Sequence, residues 1–283
     1  MKTDPNLNRC EPCAVLEARN LTKVFTPRGP FSANKIPFTA FESVNLALPP
    51  GRTLALVGES GSGKSTLARC LVRLEEPTSG ELKLEGQDFL ALTGSELRRA
   101  RRKVQLIFQE AMSALNPGFS AAEIIAEPLV VAEKLSWKDA CKKAFDLMES
   151  VGLPRSWAGR GAHEFSGGQK QRLALARALA LNPRGLILDE ALSGLDLSVQ
   201  AQMMNLLADL QAAQNLSFLF ISHDLNLVFA IADEIAVMKN GIIVERALKE
   251  EIFSRPRHPY TQSLVSAMHE LHDDPMEELA VRP

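Results

Sequence analysis

The sequence predicts an α/β fold, in which helices cover a mostly parallel sheet. The first observation is a set of short, continuous apolar runs, typical of strands that are buried on both faces. These runs are TLALV (53–57), GLILD (185–189) and SFLFI (217–221). The second observation is that helical segments alternate with them, at about 64–73, 169–181 and 198–213. This alternation indicates a parallel core.

Two further strands precede the alternation. Residues 14–25 and 41–48 have the apolar spacing of strands, and the prolines and glycine of 26–40 predict a loop between them. These strands extend the β structure toward the N-terminus.

The rest of the chain adds a helical insertion and a hairpin. Helical periodicity over 120–150 predicts an insertion at about 113–167. The run 235–245 predicts a hairpin, because Asn240-Gly241 between apolar runs suits a type I′ turn.

Composition excludes several classes of protein. The 283 residues are 46% hydrophobic and 23% charged, which is ordinary for a globular chain of one large domain or two small ones. A net charge of −2 gives no general attraction to nucleic acid or acidic lipid. No run reaches the roughly 18 apolar residues of a membrane span, and the N-terminus lacks the apolar segment of a signal peptide. We therefore expect the chain to stay on the cytoplasmic side.

The cysteines and the basic residues do not indicate a site. Cys10, Cys13, Cys70 and Cys141 are too few and too scattered for a disulfide framework. We interpret Cys10-Glu-Pro-Cys13 as an incidental feature of the tail, since no second pair accompanies it; a metal or redox role is the alternative. The basic run over 98–103 has no interleaved aromatic residues, so we interpret it as a solvated edge and not as a nucleic-acid site.

A glycine-rich motif indicates nucleotide binding. It follows the strand 53–57 and opens a helix, which is the context that a phosphate loop requires. Its residues are Gly58, Glu59, Ser60, Gly61, Ser62, Gly63, Lys64 and Ser65, followed by Thr66. Backbone N–H groups of such a loop point at phosphate oxygens, and the helix that begins there adds its positive end. Lys64 is placed for the β- and γ-phosphates, and the Ser65 hydroxyl can ligate Mg²⁺.

An acidic pair ends the second buried strand. Asp189 is placed to hold Mg²⁺, and Glu190 to accept a proton from the attacking water. The same pair could instead cap the next helix. Its position downstream of a phosphate loop favours the chemical role.

Several ordered motifs resemble the ATP-binding cassette family. The signature is Glu164-Phe165-Ser166-Gly167-Gly168-Gln169, followed by KQRLALARALA. The other motifs are Gln109 at the end of VQLIFQ, the D-loop Ser193-Gly194-Leu195-Asp196, and His223 in FISHD. The resemblance covers essentially residues 14–270.

The resemblance implies a fold, cofactors and roles. It implies a P-loop NTPase with a RecA-like parallel core sheet, an antiparallel β subdomain and a helical signature subdomain. The ligands are ATP and Mg²⁺, with Phe25 stacked on adenine and with Ser65, Gln109 and Asp189 at the metal. Glu190, His223 and Gln109 carry hydrolysis. The signature residues Ser166, Gly167, Gly168 and Gln169, together with Asp196 of the D-loop, complete the site of a second cassette paired head to tail.

Five residues in three motifs depart from the family pattern. Phe165 replaces the usual leucine, Ala191-Leu192 follow the acidic pair where Pro-Thr is usual, and Glu110-Ala111 follow Gln109 where Asp-Pro is usual. None of these changes removes a charged or hydrogen-bonding catalytic group.

Within the family, the chain resembles the ATPases of peptide and nickel importers. The likeness lies in GESGSGKSTLAR, FQEAMSALNP (108–117), LDLSVQAQ (195–202) and the tail 257–261. It implies a tail at 1–13, an ATPase domain at 14–250 and a C-terminal extension at 251–283. The implied partners are a second cassette ATPase, identical or paralogous, two transmembrane permeases and an extracytoplasmic substrate-binding protein, on the cytoplasmic face of the membrane.

The cargo and even transport itself stay open at this point. Short peptides, nickel or a related metal chelate fit the subfamily. The alternative is a cassette ATPase that assists assembly of an enzyme, as in carbon–phosphorus lyase.

Overall fold

The computed structural model describes residues 13–26, 37–108 and 115–270, with ten strands and nine α-helices in these ranges. The strands are β1 (Leu16–Phe25), β2 (Phe38–Leu48), β3 (Thr53–Val57), β4 (Ser79–Leu84), β5 (Gln87–Asp88), β6 (Val104–Ile107), β7 (Gly185–Asp189), β8 (Ser217–Ser222), β9 (Glu234–Lys239) and β10 (Ile242–Leu248). The helices are α1 (Lys64–Leu71), α2 (Gly94–Arg101), α3 (Ala121–Glu133), α4 (Trp137–Ser150), α5 (Gly167–Leu179), α6 (Leu197–Gln214), α7 (Leu225–Ile231), α8 (Lys249–Ser254) and α9 (Pro259–Glu270).

A six-stranded sheet forms the core, in the order β10-β9-β3-β8-β7-β6. Its strands are parallel except β10, which pairs antiparallel with β9. Every residue of β3, β7 and β8 is buried, which confirms the prediction from the three apolar runs. Because these neighbouring strands are parallel, the segments that follow them emerge at one edge of the sheet.

Four strands from the N-terminal part of the chain form a second, antiparallel sheet, in the order β2-β1-β4-β5. It supplies the antiparallel subdomain that the family resemblance implied. The sequence patterns had not indicated β4, β5 or α2. In β4 only Leu82 and Leu84 are buried, so its apolar signal is too weak to mark a strand.

The helical insertion holds two helices where one periodic stretch was predicted. The chain breaks at Lys134, which has a left-handed φ of 59°, and Ser136 caps the next helix by accepting a hydrogen bond from the Asp139 N–H at 3.2 Å. Helix α3 packs against both α4 and α5. The insertion is thereby joined to the helix that follows the signature.

The hairpin β9–β10 turns as predicted. Asn240 and Gly241 have φ values of 47° and 82°, and both lie in the left-handed region that a type I′ turn requires. A Cβ on Gly241 would lie 3.0 Å from the Ala40 carbonyl oxygen, so the turn also packs closely on the second sheet.

The interpretation of the basic run as a solvated edge is wrong for two of its members. Arg101 donates from Nε to the Val72 carbonyl at 3.2 Å, and the Arg102 guanidinium donates to the Ala132 carbonyl. Both side chains therefore tie α2 to neighbouring elements, because their length lets the charged end reach backbone carbonyls. Arg98, Arg99 and Lys103 are exposed as expected.

Candidate nucleotide-binding and hydrolysis site

The phosphate loop joins β3 to α1, and its glycines are required by geometry. Gly58 and Gly63 have φ values of 152° and 103°. A Cβ at Gly58 would lie 2.1 Å from the Met238 carbonyl oxygen, and one at Gly63 would lie 2.3 Å from that of Ala40. No side chain caps the start of α1 at Gly63, so the first amides of this helix are available to a phosphate.

Lys64 holds the loop together in this structure. Its Nζ donates to the carbonyl oxygens of Gly58 at 2.8 Å and Glu59 at 2.7 Å, and to Ser62 Oγ at 3.3 Å. Burial lowers the pKa of the Lys64 ammonium, and the nearby carboxylates of Glu190 and Asp189 oppose that shift. The ammonium therefore already lies at the centre of the loop, where phosphate oxygens can replace the carbonyls.

Ser65 and Asp189 meet at the edge of the sheet. Ser65 Oγ donates to Asp189 Oδ1 at 3.0 Å. Burial raises the pKa of the Asp189 carboxyl, and the Ser65 hydrogen bond opposes that effect. A hydroxyl and a single carboxylate are oxygen ligands of the kind that Mg²⁺ accepts when substrate phosphates complete its shell. The donor set at this position therefore fits Mg²⁺.

Glu190 is held in an uncommon backbone conformation. Its φ is 49°, which few residues other than glycine adopt. Its N–H donates to the Ile221 carbonyl at 3.0 Å, and its own carbonyl accepts from Ser193 Oγ at 2.8 Å. These bonds hold the backbone of Glu190 in its strained conformation. The Glu190 side chain is 16% exposed, and its Oε1 lies 3.5 Å from His223 Nδ1. Strain that is over-determined in this way is typical of functional sites.

The signature forms a second helix start. Gly167 is the first residue of α5, and Ser166 caps it: Ser166 Oγ accepts from the Gln169 N–H at 3.4 Å, and Gln169 Oε1 accepts from the Ser166 N–H at 3.0 Å. A Cβ on Gly168 would lie 2.5 Å from Val199 Cγ1, so this glycine allows α5 to approach α6 closely. Asp196 begins α6, and the next residue, Leu197, is 77% exposed.

The structure brings together some predicted residues and separates others. Lys64, Ser65, Asp189, Glu190 and His223 lie in one cluster. Among the hydrogen bonds of the described residues, none joins the signature to the phosphate loop. Gln109 lies outside the described residues.

Two aromatic residues lie on other elements, Phe25 on β1 and Tyr260 on α9. Phe25 ends β1 with 38% of its surface exposed, and Lys23 Nζ lies 4.7 Å from its ring centroid. The ring therefore has a face available for stacking. Tyr260 belongs to the tail 257–261 that resembles the importer ATPases, but no role had been predicted for it. Its Oη accepts a hydrogen bond from the Glu59 N–H at 3.0 Å.

A phosphate loop, an acidic strand end and a separate glycine-containing helix start on one α/β core define an ABC-type ATPase. Comparisons with known proteins agree. Residues 41–193 match the family model "ABC transporter", and residues 244–281 match "Oligopeptide/dipeptide transporter, C-terminal region".

Three relatives place the chain more closely. It is 45% identical over 265 residues to the dipeptide transport ATP-binding protein DppF of Escherichia coli, covering 93% of this chain and 79% of that protein. It is 43% identical over 256 residues to the oligopeptide transport ATP-binding protein AppF of Bacillus subtilis, covering 90% and 78%. The dimeric ATP-binding cassette MJ0796 bound to ADP and Pi is 29% identical, with a TM-score of 0.73 over 82% of this chain and 98% of that one. The chain belongs to the ATP-binding proteins of ABC transporters, in the oligopeptide/dipeptide importer family.

The Asp189→Asn variant should separate stability from activity. Asparagine keeps an oxygen for Ser65 but removes a carboxylate whose charge is disfavoured by burial. We expect a higher melting temperature without Mg²⁺ and nucleotide, together with loss of Mg²⁺-dependent ATP hydrolysis. Asp209→Asn, at an exposed position on α6, is the matched control for melting and activity. A melting temperature of Asp189→Asn at or below that of the control would contradict this account.

The contact between Gly168 and Val199 predicts a paired rescue. Gly168→Ala should lower ATPase activity and stability, because its Cβ overlaps Val199 Cγ1. Adding Val199→Ala removes the overlapping methyl group and should restore at least part of both. Melting and turnover of the two single variants and the double variant measure this coupling. Strictly additive effects would show that the clash is not the cause.

Proposed function

We propose that this ATPase works in a head-to-tail pair and drives the uptake of short peptides through partner permeases. One observation carries the proposal: the chain has two phosphate-binding helix starts, at Lys64 and Gly167, of which only the first shares a cluster with Asp189 and Glu190. A second copy or a paralogue would supply the missing signature to each nucleotide.

Hydrolysis follows from the residues of the cluster. Mg²⁺, when bound with ATP, neutralises charge on the β- and γ-phosphates. Lys64 and the open start of α1 would bind the phosphates, while Ser65 and Asp189, together with Gln109 from outside the described residues, would hold the metal. Glu190 accepts a proton from the attacking water, and His223 contacts the γ-phosphate.

The D-loop side of the molecule supports the pairing. Leu197, which is 77% exposed, directly follows Asp196, and we propose that the partner subunit covers it. The similar cassette MJ0796 has been solved as a dimer.

A groove on the helical side supports coupling to permeases. It has a volume of about 370 Å³ and lies between β6, α3 and α5. Apolar residues line most of it, including Phe108, the last described residue before Gln109, and Val131, which is 75% exposed. No α-helix in the described ranges is long and apolar enough to cross a membrane. We therefore propose that permease helices dock in this groove, at the cytoplasmic face of the membrane.

The relatives favour transport over the assembly-factor alternative. DppF and AppF are named as dipeptide and oligopeptide transport proteins, so we propose short peptides as the cargo ahead of nickel or a metal chelate. A substrate-binding protein outside the membrane would select the peptide. We propose no role in nucleic-acid binding.

Pairing is tested with variants that trap or block the closed dimer. Glu190→Gln keeps the shape of the side chain but cannot accept the proton, so turnover should fall by about 10²- to 10⁴-fold. It also removes a negative charge beside the triphosphate, so ATP should produce a stable dimer. Light scattering with and without Mg-ATP, with the partner ATPase added where needed, measures this.

The control adds Ser166→Arg to Glu190→Gln. A bulky side chain at the start of α5 should keep the double variant monomeric, although its own phosphate loop is intact. If the double variant still dimerises with ATP, residues 166–169 are not the closing face.

Docking in the groove is tested by membrane association. The chain should pellet with membranes when its permeases are co-expressed and stay in the supernatant without them. Val131→Asp should abolish co-sedimentation, whereas Leu248→Asp, at another exposed apolar position, should not. Melting curves check that both variants fold. Pelleting of Val131→Asp at the level of the unmodified chain would rule out the groove.

A further inference from the structure

The start of helix α9, near the C-terminal end of the described residues, contacts the phosphate loop. Tyr260 is 6% exposed, and its Oη accepts a hydrogen bond from the Glu59 N–H at 3.0 Å. Lys239 Nζ lies 4.4 Å from the ring centroid and packs over its face. Burial raises the pKa of the Tyr260 hydroxyl, so the hydroxyl stays neutral while its oxygen accepts this bond. A buried tyrosine whose hydroxyl is aimed at one loop amide is a specific contact.

The peptide unit between Gly58 and Glu59 is bonded on both sides. Its carbonyl oxygen, which belongs to Gly58, accepts from Lys64 Nζ at 2.8 Å, and its N–H donates to Tyr260. In a trans peptide these two groups point in opposite directions. Tyr260 therefore holds the outer side of the same unit whose inner side faces the ammonium.

This peptide unit needs such a restraint because it follows a glycine. Gly58 has a φ of 152° and no Cβ, so little steric resistance opposes rotation of the peptide plane. Rotation would turn the carbonyl away from Lys64 and leave the loop with more conformations. The bond to Tyr260 lies on the opposite side of the peptide from Lys64, so an exchange of the carbonyl oxygens for phosphates at Lys64 would not require that bond to break.

The segment that carries Tyr260 is itself fixed to the core sheet. Glu245 of β10 accepts from the Arg257 N–H at 2.8 Å with Oε1 and from the His258 N–H at 2.9 Å with Oε2. His258 Nδ1 in turn accepts from the Tyr260 N–H at 3.1 Å. These hydrogen bonds, which begin at Glu245 on β10, therefore hold the Tyr260 ring in position against the loop.

We propose that Tyr260 is a positioning residue for ATP binding: the C-terminal extension fixes the Gly58–Glu59 peptide and so pre-organises the phosphate loop. Pre-organisation raises affinity because fewer loop conformations are lost when the ligand binds. The extension then sets the ATP affinity of the subunit in addition to whatever contacts it makes elsewhere.

Tyr260→Phe in the full-length chain tests this inference. Phenylalanine keeps the ring and its packing but leaves the Glu59 N–H without its acceptor. We expect the dissociation constant for ATP to rise about threefold to tenfold, the range for one buried hydrogen bond, with the KM for ATP rising more than kcat falls. Amide exchange at Glu59 should become faster without nucleotide.

Ser263→Ala is the matched control, because Ser263 Oγ donates to the Tyr260 carbonyl one turn along the same helix and, within the described part of the chain, makes no hydrogen bond to the loop. It should leave ATP affinity and Glu59 exchange unchanged. Two results would each overturn the inference: an ATP affinity of Tyr260→Phe within twofold of the control, or unchanged exchange at Glu59. A matching fall in melting temperature for both variants, with weaker ATP binding in both, would also overturn it by assigning a general structural role.

Discussion

The register of three parallel strands is the constraint on which the site depends. Val57 of β3 lies opposite Ser222 of β8, and Asp189 of β7 lies opposite Ile221 of β8. The phosphate loop, the acidic pair and His223 therefore start from adjacent positions at one edge of the sheet. A slip of one residue in any strand would turn its side chains to the opposite face, and Asp189 would no longer reach Ser65. Because every residue of the three strands is buried, such a slip would also require the close-packed core on both faces to repack.

Charge is the second determinant of the site. Lys64 and Asp189 are both buried, which disfavours each charged form unless a partner compensates. The loop carbonyls satisfy the ammonium and Ser65 satisfies one carboxylate oxygen. Burial of these charges carries a cost in stability that removal of the Asp189 charge should reveal.

Local signals carried most of the prediction from sequence. The three apolar runs, the phosphate loop and the Asn240-Gly241 turn are short patterns with one physical meaning, and the structure has the corresponding elements. Features with a weak local pattern, or with contacts between residues far apart in the sequence, were not predicted. Strand β4 is only partly buried, so its apolar pattern is weak. Arg101 donates a hydrogen bond to the distant carbonyl of Val72, and the residues joined by the bond from Glu59 to Tyr260 are 201 positions apart. No window of sequence contains such contacts, and the roles of the signature and of Gln109 were available only through the family resemblance.

The two helix starts differ in a way that suits their proposed roles. Helix α1 has no side-chain cap, so its amides have no internal competitor for the phosphates of the subunit's own ATP. Helix α5 is capped from within, but unequally: the bond from the Gln169 N–H to Ser166 Oγ is 3.4 Å long, while the reverse bond to Gln169 Oε1 is 3.0 Å. The longer bond is the weaker one, and a hydroxyl can rotate. Ser166 can therefore turn its hydroxyl toward a γ-phosphate on a partner while Gln169 keeps the start of the helix in place. In the proposed pair, a helix start that opens only when a second subunit arrives needs a releasable cap of this kind, whereas the start of α1 faces the subunit's own nucleotide and needs none.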